Sequence, residues 1–317
     1  MKQSMVEQLS AKLKENIGKI IKGKDDVIEK MILSLFCSGH ILLEDIPGTG
    51  KTTLAKALSK SIDCEFKRVQ FTPDLLPSDL TGINYYDQKE GAFQFRKGSI
   101  FTNILLGDEI NRATPRTQSS LLECMEERQA SIDGMTYSMP SPFLVIATQN
   151  PIEIQGTFPL PEAQLDRFFV KLSMGYPDKE NELDMLSGFL LKNPLEELKP
   201  VATRQEVLEA QKQVKEVFVE QSIKEYLLSI VQATREHEKI RLGVSPRGSI
   251  AFLRAAQAAA AIHGRDYVIP DDVKQVAEDV LSHRIICKGF QMVQSGEMAR
   301  EYIRQILTQV AVKSYEG

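Results

Sequence analysis

Residues 40–53 read H-I-L-L-E-D-I-P-G-T-G-K-T-T, an apolar stretch that runs into a glycine-rich turn. Gly48 and Gly50 carry no side chains, so the backbone N–H groups around them can converge on phosphate oxygens. The helix that starts near Lys51 directs the positive end of its dipole to the same place. Lys51 would reach the β- and γ-phosphates of a nucleotide, and the Thr52 hydroxyl would ligate Mg²⁺. The stretch therefore predicts a phosphate-binding loop between a strand and a helix.

One position departs from the strict P-loop pattern, because Asp45 stands where that pattern has its first glycine. The amides that would wrap the phosphates begin at Pro47, whereas Asp45 lies where the strand ends and its carboxylate can turn away from the anion. The alternative is a chance glycine-rich turn before a helix. If the loop binds phosphate, the residues that contact the nucleotide are Pro47, Gly48, Thr49, Gly50, Lys51, Thr52 and Thr53.

A second motif follows further along the chain, where residues 103–112 read N-I-L-L-G-D-E-I-N-R, an apolar strand that ends in an acidic pair. This arrangement is typical of the Walker B motif, in which Asp108 would hold Mg²⁺ through its water shell. Glu109 would then orient and polarise the water that attacks the γ-phosphate. Taken alone, such a pair is usually a solvated turn or a helix N-cap. Its distance after a phosphate loop favours the catalytic interpretation.

A third apolar strand turns abruptly polar at its carboxyl end, in F-L-V-I-A-T-Q-N-P at residues 143–151. Ligands of parallel sheets lie beyond the carboxyl ends of the strands. We therefore expect Asn150 beside Glu109, where its amide could position the attacking water. A helix-capping asparagine before proline is the alternative.

These motifs together resemble those of the MoxR family of AAA+ ATPases, and the resemblance covers nearly the whole chain. Two departures from the family's pattern are minor, namely Asp45 and Gly107, where a small residue still fits before the acidic pair. The stretches that carry the resemblance are I-P-G-T-G-K-T (46–52), Q-F-T-P-D-L-L-P-S-D (70–79), D-E-I-N-R-A (108–113), G-T-F-P-L-P-E-A-Q-L-D-R-F (156–168), S-P-R (245–247) and G-R-D-Y-V-I-P-D-D-V (264–273).

Several residue roles are implied by the resemblance. Asn150 corresponds to the sensor 1 residue, Arg167 to the arginine finger and Arg247 to the sensor 2 residue. Ile21 and Gly23, in I-I-K-G-K at 20–24, correspond to residues that pack against adenine. Arg247 would lie in the first turn of a helix, where the dipole disfavours a cation, and a bound phosphate would offset that cost. The alternatives are a solvent-exposed Arg247 and a structural role for Arg167 at a strand edge.

The two arginines also bear on assembly. If Lys51 and Arg247 serve one nucleotide within a subunit, Arg167 must come from a neighbour to complete the stabilisation of the transferring phosphoryl group. Hydrolysis would then require a homo-oligomeric ring, which the resemblance implies to be a hexamer.

The fold class expected is α/β, an AAA+ P-loop NTPase core with a doubly wound parallel sheet, followed by an all-helical lid domain. The α/β domain is predicted over residues 1–176 and the lid over residues 177–317. After Tyr176-Pro177 no convincing strand pattern appears, whereas helical patterns do, with Thr203 and Ser245 placed to cap helices. Strands alternating with helices predict a parallel sheet, its strands near 40–44, 66–70, 103–108, 143–148 and 168–172.

Two segments interrupt this alternation and read as hairpins. Residues 85–95 carry aromatic residues on both sides of a Lys-Glu-Gly turn, and residues 129–139 alternate around Asp133-Gly134. By resemblance they are the helix 2 insert (about 83–97) and the pre-sensor 1 hairpin (about 128–140), elements expected near a ring's central pore. We expect the second hairpin to lie outside the core, so that its replacement would leave folding intact. Two solvated surface hairpins are the alternative.

Composition describes an ordinary globular protein of 317 residues, with 42% hydrophobic and 26% charged residues. The net charge of −4 and the scattered basic residues predict no attraction to nucleic acid. No apolar run is long enough for a membrane span, and the amino-terminal residues do not resemble a signal peptide, so we expect a cytoplasmic protein. The four cysteines and four histidines show no metal-ligand spacing, and the thiols are expected to be reduced and buried.

The leading functional hypothesis is an ATPase that binds ATP and Mg²⁺ and acts as a chaperone-like remodelling or maturation factor for protein complexes. The resemblance suggests client proteins that bear von Willebrand factor A domains. One alternative is an ATP-gated assembly module with little turnover. A DNA-remodelling AAA+ motor is another, and the scattered charge argues against it.

Overall fold

The computed structural model describes residues 4–150, 156–188, 193–289 and 292–312. Its strands are β1 (Ile41–Glu44), β2 (Phe66–Gln70), β3 (Gly82–Asp87), β4 (Ala92–Lys97), β5 (Ile104–Asp108), β6 (Gln129–Ile132), β7 (Met135–Ser138), β8 (Leu144–Gln149), β9 (Val170–Leu172), β10 (Ile240–Leu242) and β11 (Ile286–Cys287). Its helices are α1 (Met5–Gly18), α2 (Asp25–Phe36), α3 (Lys51–Ser61), α4 (Pro77–Thr81), α5 (Pro115–Glu127), α6 (Glu162–Leu165), α7 (Lys179–Gly188), α8 (Pro194–Glu197), α9 (Arg204–Glu216), α10 (Gln221–Glu236), α11 (Pro246–Ile262), α12 (Pro270–Leu281) and α13 (Met292–Gln309), with 3-10 turns at Ile110–Arg112 and Ser282–Arg284.

The central sheet contains five parallel strands in the order β2-β5-β8-β1-β9. All five strands predicted from the sequence are confirmed, each to within two residues at either end. Strand β5 is buried along its whole length, as is β8 up to its last residue, which is typical of a parallel sheet covered on both faces. Because the strands are parallel, the phosphate loop after β1 and the acidic pair after β5 meet at one edge, the carboxyl edge.

Each face of the sheet has its own core. Alternate residues of β1, such as Ile41 and Leu43, join a cluster with α1, α2, α3 and the helices of the carboxyl-terminal half. Leu42 faces the other way and packs in a second cluster with α5 and the segment around β6. The doubly wound α/β arrangement is therefore confirmed, and it holds both the loop and the acidic pair between two layers of helices.

The carboxyl-terminal half is a helical lid. Thr203 caps α9 as predicted: its hydroxyl accepts from the N–H of Glu206, whose carboxylate accepts from the N–H of Thr203, which makes a capping box. The Ser245 hydroxyl caps α11 by accepting from the N–H of Gly248. The lid also contains the antiparallel pair β10–β11, which the sequence analysis missed. Strands of three and two residues are too short to show a period of two. Helix α7 follows Tyr176-Pro177 and is described as far as Gly188, whereas residues 189–192 lie outside the described part of the chain.

Both hairpins form, as β3–β4 and β6–β7. They also pack on each other, because Tyr137 stacks on Phe95 with 4.1 Å between ring centroids. The expectation that the second hairpin lies outside the core is wrong, since Ala130 and Ile132 are buried in the second cluster. The free end of the first hairpin is different, for there the Phe93 ring is 74% exposed.

Within the described residues, no helix has the length and hydropathy needed to cross a membrane. All four cysteines are free thiols, of which Cys124 and Cys287 are buried and the other two are partly buried.

Candidate nucleotide-binding and hydrolysis site

The phosphate loop connects the end of β1 to the start of α3 at Lys51. Gly48 and Gly50 have φ values of +85° and +90°, in the left-handed region that favours glycine. A Cβ at Gly48 would meet no atom within 4 Å, so backbone conformation and not crowding requires glycine there. The loop thus leaves open space over its glycines and ends in a helix N-terminus, as a phosphate site needs.

Asp45 turns its carboxylate away from this space, which confirms the expectation drawn from the sequence. Oδ2 accepts from the backbone N–H groups of Met174 at 2.8 Å and Gly175 at 2.7 Å. Oδ1 accepts from the N–H of Ile46 at 2.9 Å. The residue that breaks the strict P-loop pattern therefore ties the end of β1 to the segment after β9, and its carboxylate oxygens bond to backbone N–H groups outside the glycine turn.

Lys51 donates from Nζ to the carbonyl oxygens of Asp45 at 2.8 Å and Ile46 at 2.9 Å. Partial burial lowers the pKa of Lys51, while the carboxylates of Asp45, Asp108 and Glu109 act in the opposite direction. An ammonium group withdrawn from water beside these carboxylates can exchange its carbonyl partners for phosphate oxygens.

The acidic pair lies at the carboxyl end of β5. Asp108 is 6% exposed, and Glu109 has a φ of +56°, which is left-handed and unusual for a residue with a side chain. Backbone strain of this kind concentrates at functional sites. The Glu109 N–H donates to Thr148 Oγ1 at 2.9 Å, and that hydroxyl donates to Asp108 Oδ1 at 3.3 Å. One hydroxyl on β8 therefore fixes the carboxylate of one member of the pair and the backbone of the other.

Three further side chains contact the acidic pair, and the sequence analysis identified none of them. Arg68 Nε donates to Asp108 Oδ2 at 2.6 Å. Gln70 Nε2 and Arg112 Nη1 both donate to Glu109 Oε2, at 2.8 and 2.9 Å. Arg68 and Gln70 reach the acidic pair across the β2–β5 pairing, so a polar end on strand β2 is their signal in the sequence. Arg112 is local, because it lies three residues after Glu109 in the D-E-I-N-R stretch.

Asn150 follows the last residue of β8, where Gln149 is in register with Glu44 of β1. It therefore lies at the same edge as Glu109, which follows the neighbouring strand β5. The proline after Asn150 lies outside the described residues. The structure thus brings Lys51, Asp108, Glu109 and Asn150 to one edge of the sheet.

The residues implied to contact adenine adjoin the same region. Ile21 is 8% exposed and Gly23 has a φ of +66°. A Cβ at Gly23 would displace the amide of Asn181, and the left-handed backbone itself favours glycine there. Next to it, Lys24 Nζ donates to the carbonyl oxygen of Tyr176 at 2.8 Å. Residues 20–24 are thereby joined to the segment that also holds Asp45.

Arg167 and Arg247 lie elsewhere, at the amino edge of the sheet. Arg167 precedes β9, and two residues later the Phe169 N–H donates to the carbonyl oxygen of His40, just before β1. Arg167 Nε is 3.3 Å from Glu126 Oε2, and Arg247 Nη2 contacts Glu126 Oε1.

The expectation that Lys51 and Arg247 serve one nucleotide within a subunit is therefore not met. The two residues lie at opposite edges of a sheet, about 10 Å or more apart given the rise of a four-residue strand. Within the described chain, the carboxylate of Glu126 offsets the helix dipole at Arg247. Local sequence patterns say nothing of how the lid docks, which is why this placement was missed.

The chain matches two families of known domains. Residues 40–170 match the ATPase family associated with various cellular activities (AAA), and residues 232–306 match the AAA lid domain. The chain is 49% identical over 310 residues to an uncharacterized Bacillus subtilis protein, YeaC, covering 98% of this chain and 97% of YeaC. It is 42% identical over 279 residues to the chaperone MoxR1 of Mycobacterium tuberculosis, covering 85% of this chain and 74% of MoxR1.

A crystal structure of a candidate ATPase from Cytophaga hutchinsonii has the same fold, with a TM-score of 0.88 at 39% sequence identity. The match covers 98% of this chain and 96% of that one. The chain belongs to the MoxR family of AAA+ ATPases.

Proposed function

We propose that this chain hydrolyses ATP and uses the energy to remodel or mature protein complexes, as a chaperone-like AAA+ motor. The observation that supports hydrolysis most directly is the meeting of Lys51, Asp108 and Glu109 at one edge, with Thr148 holding the acidic pair. The name of the relative MoxR1, a chaperone, supports the remodelling role.

The donor set suits Mg²⁺, because a threonine hydroxyl and an aspartate carboxylate are the hard oxygen ligands that this ion prefers. Thr52, in the first turn of α3, and Asp108 are the residues that would hold it, directly or through water. When bound, the ion would neutralise charge on the phosphates. Lys51 would bind the terminal phosphates, and the Glu109 carboxylate would accept a proton from the attacking water that Asn150 helps to orient.

A complete site requires a second subunit. Arg167 lies at the amino edge, far from its own phosphate loop, so it can complete the site only of a neighbouring chain. Arg247 lies beside it, bound to the same carboxylate. We therefore propose a homo-oligomeric ring, a hexamer, in which each subunit offers this arginine pair to the nucleotide of the next.

The two hairpins would contact the client. Their free ends carry exposed apolar side chains, including Tyr86, Phe93 and Met135. Exposed aromatic residues on a rigid hairpin are typical of protein-binding surfaces. We propose that these ends contact client proteins, with partners bearing von Willebrand factor A domains as the first candidates.

Steady-state release of phosphate tests the proposal against a nucleotide-gated module with little turnover. Lys51→Ala should abolish ATP binding, because it removes the charge placed against the terminal phosphates. Glu109→Gln should still bind ATP, measured with a fluorescent analogue, and fail to hydrolyse it. Hydrolysis by Glu109→Gln at the parent rate would remove Glu109 as the base. Absence of turnover in the parent chain at any concentration would favour the gated module.

A further inference from the structure

Two arginines from different parts of the chain share one carboxylate. Arg167 belongs to the segment before β9 of the core, and Arg247 to the first turn of lid helix α11. Between them lies Glu126, the next-to-last residue of α5, with one carboxylate oxygen turned to each guanidinium. The side chains keep 31%, 46% and 34% of their surfaces exposed for Arg167, Arg247 and Glu126, so all three remain open to a partner.

The atoms used in these contacts leave each arginine able to bind a second anion. Arg167 approaches Glu126 through Nε, and its terminal Nη groups donate no hydrogen bond within the described residues, so they can bind another acceptor. Arg247 uses Nη2 and retains its other N–H groups. A carboxylate that binds arginines in this way orients them without saturating them.

A second carboxylate fixes the backbones that carry the pair. Asp166, the residue before Arg167, accepts from Ser245 Oγ at 2.8 Å and from Arg284 Nε at 2.9 Å. Ser245 is the N-cap of α11 and lies two residues before Arg247. Arg284 is buried and also donates to the carbonyl oxygen of Phe168 at 2.6 Å. These contacts fix the start of lid helix α11 against the segment before β9.

Glu126 also resolves an electrostatic conflict. Two guanidinium groups that lie this close repel each other, and Arg247 is further disfavoured by the positive end of α11. The carboxylate cancels one of the two charges, and the carbonyl end of α5 adds a favourable field. The trio keeps a net positive charge, as a site for a phosphate requires.

We propose that Glu126 is a positioning residue that couples Arg167 and Arg247 into one cationic unit for the nucleotide of the neighbouring subunit. This rests on the proposed function, in which the arginine pair acts across the subunit interface. Glu126 itself touches no reacting atom. Its loss should leave ATP binding at the subunit's own loop unchanged and slow hydrolysis at the adjacent site.

The test compares Glu126→Gln with Glu127→Gln, which removes the same charge from the neighbouring, exposed residue of α5. Glu126→Gln should lower kcat by about tenfold to a hundredfold, the cost of displacing a catalytic cation by about 1 Å. The KM for ATP and the affinity for a fluorescent ATP analogue should change by less than about twofold. Glu127→Gln should match the parent in kcat. Thermal unfolding of both variants checks that neither is misfolded.

A second background tests whether Glu126 acts through the arginines. Arg247→Ala should itself lower kcat, and adding Glu126→Gln should then cost less than it does in the parent. A merely structural role would make the two losses multiply. Three outcomes would each overturn the proposal: losses that multiply, an unchanged kcat in Glu126→Gln, or a raised kcat in that variant. A raised kcat would mean that the carboxylate inhibits hydrolysis.

Different results would refute the positioning role of Glu126 and the proposed ring mechanism. If Arg167→Ala hydrolyses ATP as the parent does, the arginine pair has no role in trans and the proposed ring mechanism fails. If Arg167→Ala loses turnover while Glu126→Gln and Glu127→Gln behave alike, the ring mechanism stands and the positioning role is refuted.

Discussion

The Thr148 hydroxyl accepts a hydrogen bond from the backbone N–H of Glu109 at 2.9 Å, across the boundary between β8 and β5. The same hydroxyl donates to Asp108 at 3.3 Å, so one side chain binds both members of the acidic pair. Thr148 is 2% exposed, and water cannot readily replace its hydroxyl. The left-handed backbone of Glu109 is therefore held by a buried, uncharged side chain.

Thr148→Val should expose this dependence, because valine keeps the shape and removes the hydroxyl. We expect kcat for ATP hydrolysis to fall by about tenfold or more as Glu109 loses its fixed position. The unpaired N–H should cost about 1–3 kcal/mol in the free energy of unfolding. Thr148→Ser retains the hydroxyl and is the matched control. Parent activity in Thr148→Val, measured by phosphate release, would show that Thr148 does not position Glu109.

Whether the sequence predicts a feature of this site depends on how far apart in the chain its interacting residues lie. Lys51 and the acidic pair are predicted because glycine spacing and apolar strands are local features, and parallel pairing then brings them together. Thr148 and Arg68 were missed because their partners lie on neighbouring strands. Arg247 was assigned to its own subunit's nucleotide because no local pattern reveals where a lid docks. Contacts between segments that lie far apart in the sequence are seen only in the folded structure.

The stacking of Tyr137 on Phe95 predicts that the two hairpins are energetically coupled. Tyr137→Ala and Phe95→Ala should each lower the free energy of unfolding. The double variant should lose less than the sum, with a coupling of about 0.5–1.5 kcal/mol. Denaturant unfolding of the four proteins in the cycle measures it.

Phe93→Ala is the control for this cycle, because its ring is largely exposed at the free end of the first hairpin. Its ring pairs edge-to-face with Tyr86 of the same hairpin at 5.4 Å, so the loss should be no more than about 1.5 kcal/mol and should add independently to that of Tyr137→Ala. Strictly additive losses for Tyr137 and Phe95 would mean that the hairpins fold independently and that a client could move one without the other.

Stability should fall as the pH drops below about 6.5, because His40 is buried as the neutral imidazole. Burial lowers the pKa of His40 to about 3, and the charge of Arg128 acts in the same direction. Nδ1 accepts from the Val145 N–H at 2.9 Å, while Nε2 lies 2.9 Å from the Met125 carbonyl oxygen, so a proton on Nδ1 would break the first bond.

The sign of the effect follows from where the proton binds. Below about pH 6.5 the unfolded chain takes up a proton at His40 and the folded chain does not, so this contribution is fully present above that pH and is lost as the pH falls toward 3. The slope is about 1.4 kcal/mol per pH unit for one histidine. In denaturant unfolding between about pH 6.5 and 4.5, the free energy of unfolding of His40→Gln should depend less steeply on pH than that of the parent. The difference in slope should correspond to the uptake of about one proton. An unchanged slope would place the titration at another group.

The position of Arg167 at the edge of the sheet opposite Lys51 predicts that hydrolysis needs two subunits. Specific activity should therefore rise with protein concentration as subunits assemble, whereas an arginine acting within its own subunit would make activity independent of concentration. Arg167→Ala should lose about a hundredfold or more in kcat while it still binds ATP. Glu109→Gln should be inactive for a different reason, since it lacks the base and keeps the arginine.

Two inactive forms should then rescue each other when mixed. In a mixed ring, a subunit carrying Arg167→Ala contributes an intact Lys51 and Glu109, and a Glu109→Gln neighbour supplies Arg167, so some interfaces are complete. Fluorescence energy transfer between labelled chains must first show that subunits exchange. A mixture of Lys51→Ala and Glu109→Gln is the matched control, because neither partner offers a complete loop and base, and it should stay inactive. If exchange occurs and the first mixture gains no activity over either variant alone, Arg167 does not act in trans, and its contact with Glu126 is structural.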